Sequence, residues 1–268
     1  MIEMKATVYS TAGKAKGKID LPNVFSTEYR PDLIQRAVVS QQSKGRQRYG
    51  VLPVAGLQTS AEYFGQRRHT YRLTMNRGQS RLPREKPGGG GLGRVKRVPQ
   101  SVGGRRAHPP KSKNHSKSIN RKEYLIALNS ATAASSNPEI IVSRGHIIDK
   151  IPEFPIIVEE KLETLQKAKE ATEVLEKLGL GADLERAQKI SSKAGRAKSR
   201  GQGKREKKSV LIVVEKDKGI KRALKNIPGV DVLEVQELDV NSLAPGTHAG
   251  RLTVWTETAV QKLKNESV

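Results

Sequence analysis

The sequence predicts an α/β body, a mostly parallel sheet flanked by helices in a broadly Rossmann-like layout, with a long extended basic loop inserted into it. Three observations carry this expectation. Val210-Leu211-Ile212-Val213-Val214 is a continuous apolar, β-branched run, the pattern of a strand covered on both faces. Strand-like and helix-like segments alternate after it, which implies parallel neighbours joined by helical crossovers. Between Lys44 and Lys122, by contrast, 20 Lys or Arg face only Glu62 and Glu85, a net +18 in 79 residues with almost no apolar periodicity.

Ala6-Thr7-Val8-Tyr9 reads as a short strand ending at a turn across Gly13 to Gly17, and Leu21-Pro22-Asn23-Val24-Phe25 as an apolar loop lying on the body. Leu33, Ile34, Ala37 and Val38 recur at helical spacing behind Pro31 and Asp32, whose fixed φ and negative charge favour a first helical turn. From Gly45 the periodicity vanishes. It resumes at Asn120, which with Glu123 predicts a capping box for a helix burying Leu125, Leu128 and Ala131, stopped by Asn137-Pro138. Pro155-Ile156-Ile157-Val158 predicts a buried strand. Leu162, Leu165, Ala168, Thr172, Leu175 and Leu178 predict one amphipathic helix with Gly179 as its C-cap. Val210 to Val214 is then the expected central strand, followed by a helix over 220–227, strands over 230–235 and 252–255, and a closing helix from Glu257 to Lys264. The implied organisation is a globular body of 1–43 and 118–268, an extended loop over 44–117, and a second basic loop over 189–208 within the body.

Of 268 residues 50 are Lys or Arg and 27 Asp or Glu, giving +23. Residues 189–208 hold nine basic side chains and one acid, Glu206, so the 169 residues outside both runs sum to about −3. The charge is therefore local rather than spread over a solvated face. Those 169 residues suffice for one ordinary core. With no cysteine, disulfides, thiolate catalysis and thiolate metal sites are excluded. No apolar run approaches the roughly 18 residues that span a bilayer, and the N-terminal segment lacks a secretory h-region, so the expected protein is soluble and intracellular.

A segment this polar finds no core to offset backbone ordering at about 1–2 kcal/mol per residue, so it is expected to be disordered or ordered by a partner. As a hairpin of roughly 35 residues each way it would reach about 100 Å at most. Its chemistry suits polyphosphate. Arg outnumbers Lys and grips phosphate bidentately, while Tyr49, Tyr63, Phe64 and Tyr71 could stack on bases or pack on the body. The candidate RNA ligands are Lys44, Arg46, Arg48, Tyr49, Arg67, Arg68, Arg72, Arg77, Arg81, Arg84, Lys86, Arg94, Lys96, Arg97, Arg105, Arg106, His108, Lys111 and Lys113. Arg196, Arg200, Lys204 and Arg205 join them from the second run. Gly88, Gly90 and Gly93 match GxGxxG, but no strand precedes them, no helix opens after them and no acid follows at ribose distance, so no cofactor is expected. His69, His108, His115, His146 and His248 show no ligand spacing, and no elbow or HExxH motif places a catalytic group. On the residues alone an RNA-acting enzyme with basic grips and a nucleic-acid chaperone or compactor remain as alternatives to a ribonucleoprotein component.

Four segments together resemble the universal large-subunit ribosomal protein L4 family in its archaeal and eukaryotic form. They are Leu21-Pro22-Asn23-Val24-Phe25 with Arg30-Pro31-Asp32-Leu33-Ile34, Gly103-Gly104-Arg105-Arg106-Ala107-His108-Pro109-Pro110-Lys111, Arg144-Gly145-His146, and Gly250-Arg251-Leu252-Thr253-Val254-Trp255-Thr256-Glu257. The resemblance implies a non-enzymatic, cytoplasmic component of the ribosome that supports large-subunit assembly. Its implied partners are large-subunit ribosomal RNA, neighbouring ribosomal proteins and the nascent polypeptide, with no membrane, cofactor, metal or homo-oligomer. It further implies an arm reaching the peptide exit tunnel, with a tip at Lys86, Gly88, Gly89, Gly90, Gly91, Gly93, Arg94, Lys96 and Arg97.

Overall fold

In the computed structural model, which describes residues 4–63, 76–89 and 91–266, alternate residues of the inner strands point to opposite sides of one six-stranded sheet. In chain order the strands are β1 Lys5–Tyr9, β2 Ala15–Asp20, β3 Ile156–Val158, β4 Ser191–Ser192, β5 Lys204–Arg205, β6 Leu211–Val214, β7 Asp231–Glu234 and β8 Thr253–Thr256. The helices are α1 Pro31–Lys44, α2 Arg121–Ala134, α3 Pro138–Ser143, α4 Ala168–Lys177, α5 Gly181–Gln188, α6 Arg196–Ser199, α7 Ile220–Leu224, α8 Val240–Leu243 and α9 Glu257–Glu266. The large sheet runs β2-β1-β3-β8-β6-β7, every neighbouring pair parallel except the β1–β2 hairpin.

The two-residue period of a strand sorts the core. Ile157, Leu211, Val213 and Trp255 face Ile34 and Val38 of α1, Ala127 and Ala131 of α2, and Val260 of α9. Ile156, Val158, Ile212, Val214 and Val254 face Ala171 and Leu175 of α4, Leu184 of α5 and Leu224 of α7. Each such large side chain, fully buried, stabilises the fold by about 1.5–3 kcal/mol. Trp255 meets Phe25 edge to face, with ring centroids 5.4 Å apart at 80°.

The α/β class is as predicted, and several details differ. Residues after the first turn form β2, a polar strand with no apolar alternation to announce it. Asn23–Ser26 is a 3-10 turn whose Val24 and Phe25 are buried. The run Leu211–Val214 is fully buried, but β3 and β8 occupy the middle of the sheet and β6 lies one strand outward. The expected single helix over 162–178 is a 3-10 turn, Glu160–Thr164, followed by α4. The turn places the buried Glu163 carboxylate where it accepts from the Glu215 N–H at 3.0 Å and from the Thr256 and Thr258 hydroxyls at 2.8 Å each. Asn120 makes no side-chain cap; Glu123 instead meets Arg36 at 3.2 Å. Leu125 of α2 is exposed, because the buried face uses the small residues Ala127, Ser130, Ala131 and Ala134. Asn137 caps the start of α3, accepting from the Glu139 N–H at 3.0 Å.

The chain divides into two compact units, 1–44 with 116–268, and 45–115. In the second, Ala61 is the only buried apolar side chain among the described residues. Its pairings are turns and two isolated antiparallel bridges, Glu62 with Arg84 and Arg84 with Val95. Among the described residues no helix is long and apolar enough to cross a membrane.

Candidate nucleic-acid interface

Within the basic unit the chain reverses between Glu85 and Arg94. The Glu85 N–H donates to the Arg94 carbonyl at 3.0 Å and the Gly93 N–H to the Glu85 carbonyl at 3.2 Å. A Cβ on Gly93 would lie 2.5 Å from the Glu85 oxygen, and Gly89 turns at φ +82°, so glycine is required for the turn to close. Lys86, Gly88, Gly89, Gly91, Gly93 and Arg94 thus share one reversal, with Lys96 and Arg97 directly behind it. Lys86 pairs with Glu62 at 2.6 Å, a contact that holds the Glu62 carboxyl below its usual range. Lys96 donates to the Val102 carbonyl at 3.1 Å, Arg97 to the Ala61 carbonyl at 3.3 Å, and Arg84 to the Ser80 hydroxyl at 2.9 Å. These cations partly hold the unit together.

Arg46, Arg48, Arg77, Arg81, Arg94, Arg105, Arg106, Lys111 and Lys113 are exposed, as is His108, and none forms an ion pair among the described residues. Tyr49, 58% exposed, stacks on His115 with centroids 5.6 Å apart at 13°, and the Arg46 guanidinium lies 5.7 Å from its ring. Burial first, then the charges of Arg46, Lys113 and Arg48, push the His115 pKa down, which keeps the ring neutral among cations. Tyr63 is exposed. Phe64, Arg67, Arg68, His69, Tyr71, Arg72 and Gly90 lie outside the described residues.

On the body, Lys44 is exposed at the end of α1. The second basic run is a small hairpin rather than a loop. Ser191 pairs with Arg205 and Ser192 with Lys204, and α6 fills the bend. Arg196, Arg200, Lys204 and Arg205 are all exposed.

Sequence reasoning missed a buried polar network built from His146 and Arg251, with the half-buried Arg144 beside it, though all three stand in motifs it had singled out. Arg251, 1% exposed, donates to the carbonyls of Ser209 at 2.9 Å, Ser242 at 3.0 Å and Gly229 at 3.1 Å, and to Asp231 at 2.6 Å. His146 contacts Asp183 through Nδ1 at 3.1 Å, and its Nε2 accepts the Leu252 N–H at 3.4 Å, the arrangement of a neutral ring protonated on Nδ1. Burial pushes the His146 pKa down against the opposing pull of Asp183. Burial alone would raise the Asp183 carboxyl, yet hydrogen bonds from His146, Arg186 and Ser209 hold it well below the carboxylate range. The network joins the ends of β6, β7 and β8, which makes His146 and Arg251 structural. Among the described residues no group of three or more His, Asp or Glu is placed to hold a metal.

The model of the Ribosomal protein L4/L1 family matches residues 19–266. The large ribosomal subunit protein uL4 of Methanococcus vannielii is 47% identical over 263 residues, covering 97% of this chain and 99% of that protein. Its counterpart in Archaeoglobus fulgidus is 45% identical over 262 residues, covering 97% and 98%, and that of Methanocaldococcus jannaschii 45% over 263 residues, with the same coverage. With agreement along almost its whole length, the chain belongs to the ribosomal protein L4/L1 family.

Proposed function

We propose that this chain, a structural and non-enzymatic protein of the large ribosomal subunit in the cytoplasm, binds large-subunit ribosomal RNA mainly through residues 45–115. In this reading the reversal at 85–94 lines part of the polypeptide exit tunnel, and neighbouring ribosomal proteins pack around the body. The observation that carries the reading is the set of exposed cations in that unit without acidic partners. The mechanism has no chemical step. Lys and Arg neutralise phosphates and release counterions, while shape and stacking select the site.

The test is binding of the full chain to a large-subunit ribosomal RNA transcript at rising salt. Each contacted phosphate should contribute about 0.7–0.9 log units of affinity per tenfold salt, so several contacts give a steep slope. Salt-insensitive binding, or a chain absent from sedimenting large subunits, would defeat the reading. Cross-linking from Arg94 to a nascent chain tests the tunnel placement separately.

A further inference from the structure

A cleft of about 610 Å³ on the body is walled by cations, and one half-buried member, Arg144, has no counter-charge among the described residues. Arg186 is held by Asp183 at 2.8 Å and the neighbouring Arg251 by Asp231 at 2.6 Å. Arg144 has only carbonyl partners, Pro245 at 2.7 Å and Ala249 at 3.5 Å, and no carboxylate among the described residues. Burial first, then the charges of Arg251 and Arg186, bring its pKa down to about 10. A half-buried guanidinium facing like charges is costly to keep unless an anion completes it. Arg205 and Lys207, exposed and free of ion pairs among the described residues, also line the cleft, with one exposed acid, Glu206. Thr247, also in the lining, sits at φ +78°, a strained conformation for a β-branched residue of the kind that clusters at ligand sites.

We propose that this cleft receives one phosphate of an RNA backbone, with Arg144 as its central ligand and Arg205 and Lys207 on the flanking phosphates. The proposal rests on the reading that the chain binds large-subunit ribosomal RNA, and adds a second anchorage on the body. Arg144 retains N–H groups beyond the two spent on carbonyls, and guanidinium geometry matches phosphate oxygens. A base next to that phosphate would meet Tyr29 or His248, both exposed at the rim.

The experiment uses the full chain and a large-subunit ribosomal RNA transcript over a salt series. Arg144→Ala should bind about tenfold more weakly. Its salt slope should be shallower by about 0.7–0.9, one phosphate contact, and Arg144→Lys should fall between the two. If circular dichroism shows Arg144→Ala misfolded, the exposed pair Arg205→Ala with Lys207→Ala decides, with about twice that loss of slope. The Arg144 Nε–H resonance should shift with an RNA oligonucleotide and not with millimolar inorganic phosphate. A shift with phosphate alone would mean a free-anion site. Displacement of the RNA by polyglutamate at equal charge would mean an acidic protein segment. Either result, or unchanged affinity and slope in well-folded variants, overturns the proposal. Failure of the unmodified chain to bind the transcript would instead defeat the functional reading beneath it.

Discussion

Arg251 and Arg105 carry the same guanidinium into opposite surroundings. The first is 1% exposed, bonded to backbone carbonyls and to Asp231; the second stands in water with no ion pair among the described residues. The contrast extends to the units that hold them. The body surrounds its sheet with two apolar layers and sets acids beside its half-buried Arg186 and buried Arg251, whereas the described part of 45–115 buries one alanine and offers cations outward. Charge turned inward fixes a fold, and charge turned outward needs a polyanion to settle against.

Replacing 45–115 by a short Gly/Ser linker should break this comparison most visibly. Affinity for the ribosomal RNA transcript should fall by about a thousandfold or more at moderate salt, while the thermal midpoint of the body stays within a few degrees. Lys117 must be kept, because its N–H donates to Ser43 and its carbonyl accepts from Ser40 of α1. A linker variant that unfolds, or that binds as tightly, would erase the distinction between the units.

Arg251→Met should do the reverse. Four carbonyls lose the Arg251 donor and Asp231 is left with Lys208 alone, so the body should be destabilised by about 3 kcal/mol in urea titration. A change below about 0.5 kcal/mol would show that the network is ornamental. Gly250→Ala sharpens the same side on a smaller scale. At φ +83° its Cβ would fall 2.8 Å from the Ile140 carbonyl oxygen, so a loss of about 2 kcal/mol is expected by the same assay.

Acid should separate the units by pH. His146 is neutral in the folded body with a depressed pKa, so the unfolded chain binds more protons, and stability falls as pH drops through the ordinary histidine range. Asp183, also depressed, adds stability that is present above the ordinary aspartate range and lost below it. The urea midpoint should therefore decline between about pH 7.5 and 5.5 and again below about pH 4, and His146→Gln should flatten the first step. A midpoint that holds or rises on acidification would contradict the neutral-ring assignment. The smallest effect is expected from Arg105→Ala, with stability within about 0.5 kcal/mol and salt slope reduced by one contact.

The inner strands were legible because Val210 to Val214 and Ile156 to Val158 are apolar at every position, which only a doubly covered strand requires. The polar β2 was not, since its pairing with β1 is set by backbone bonds and leaves no apolar trace. Sheet order was hidden for the same reason. Nothing local in Thr253–Thr256 tells that it slots between β3 and β6. On the candidate interface, net charge marked the basic unit without distinguishing Arg105, turned to solvent, from Arg97, which braces the Ala61 carbonyl. His146 and Arg251 were visible as motif members but not as buried partners, because Asp183 and Asp231 lie 37 and 20 residues away from them.

The place of β8 bears on synthesis. Because it sits between β3 and β6, a nascent chain that has not yet released Thr253–Thr256 holds two half-sheets with bare inner edges. The basic segment leaves the synthesising ribosome long before the body can close. The cell must therefore shield an unfinished, highly cationic polypeptide from stray nucleic acid, a demand that ribosome-bound chaperone profiling would register as occupancy until the last strand emerges and as none if the half-sheets close alone.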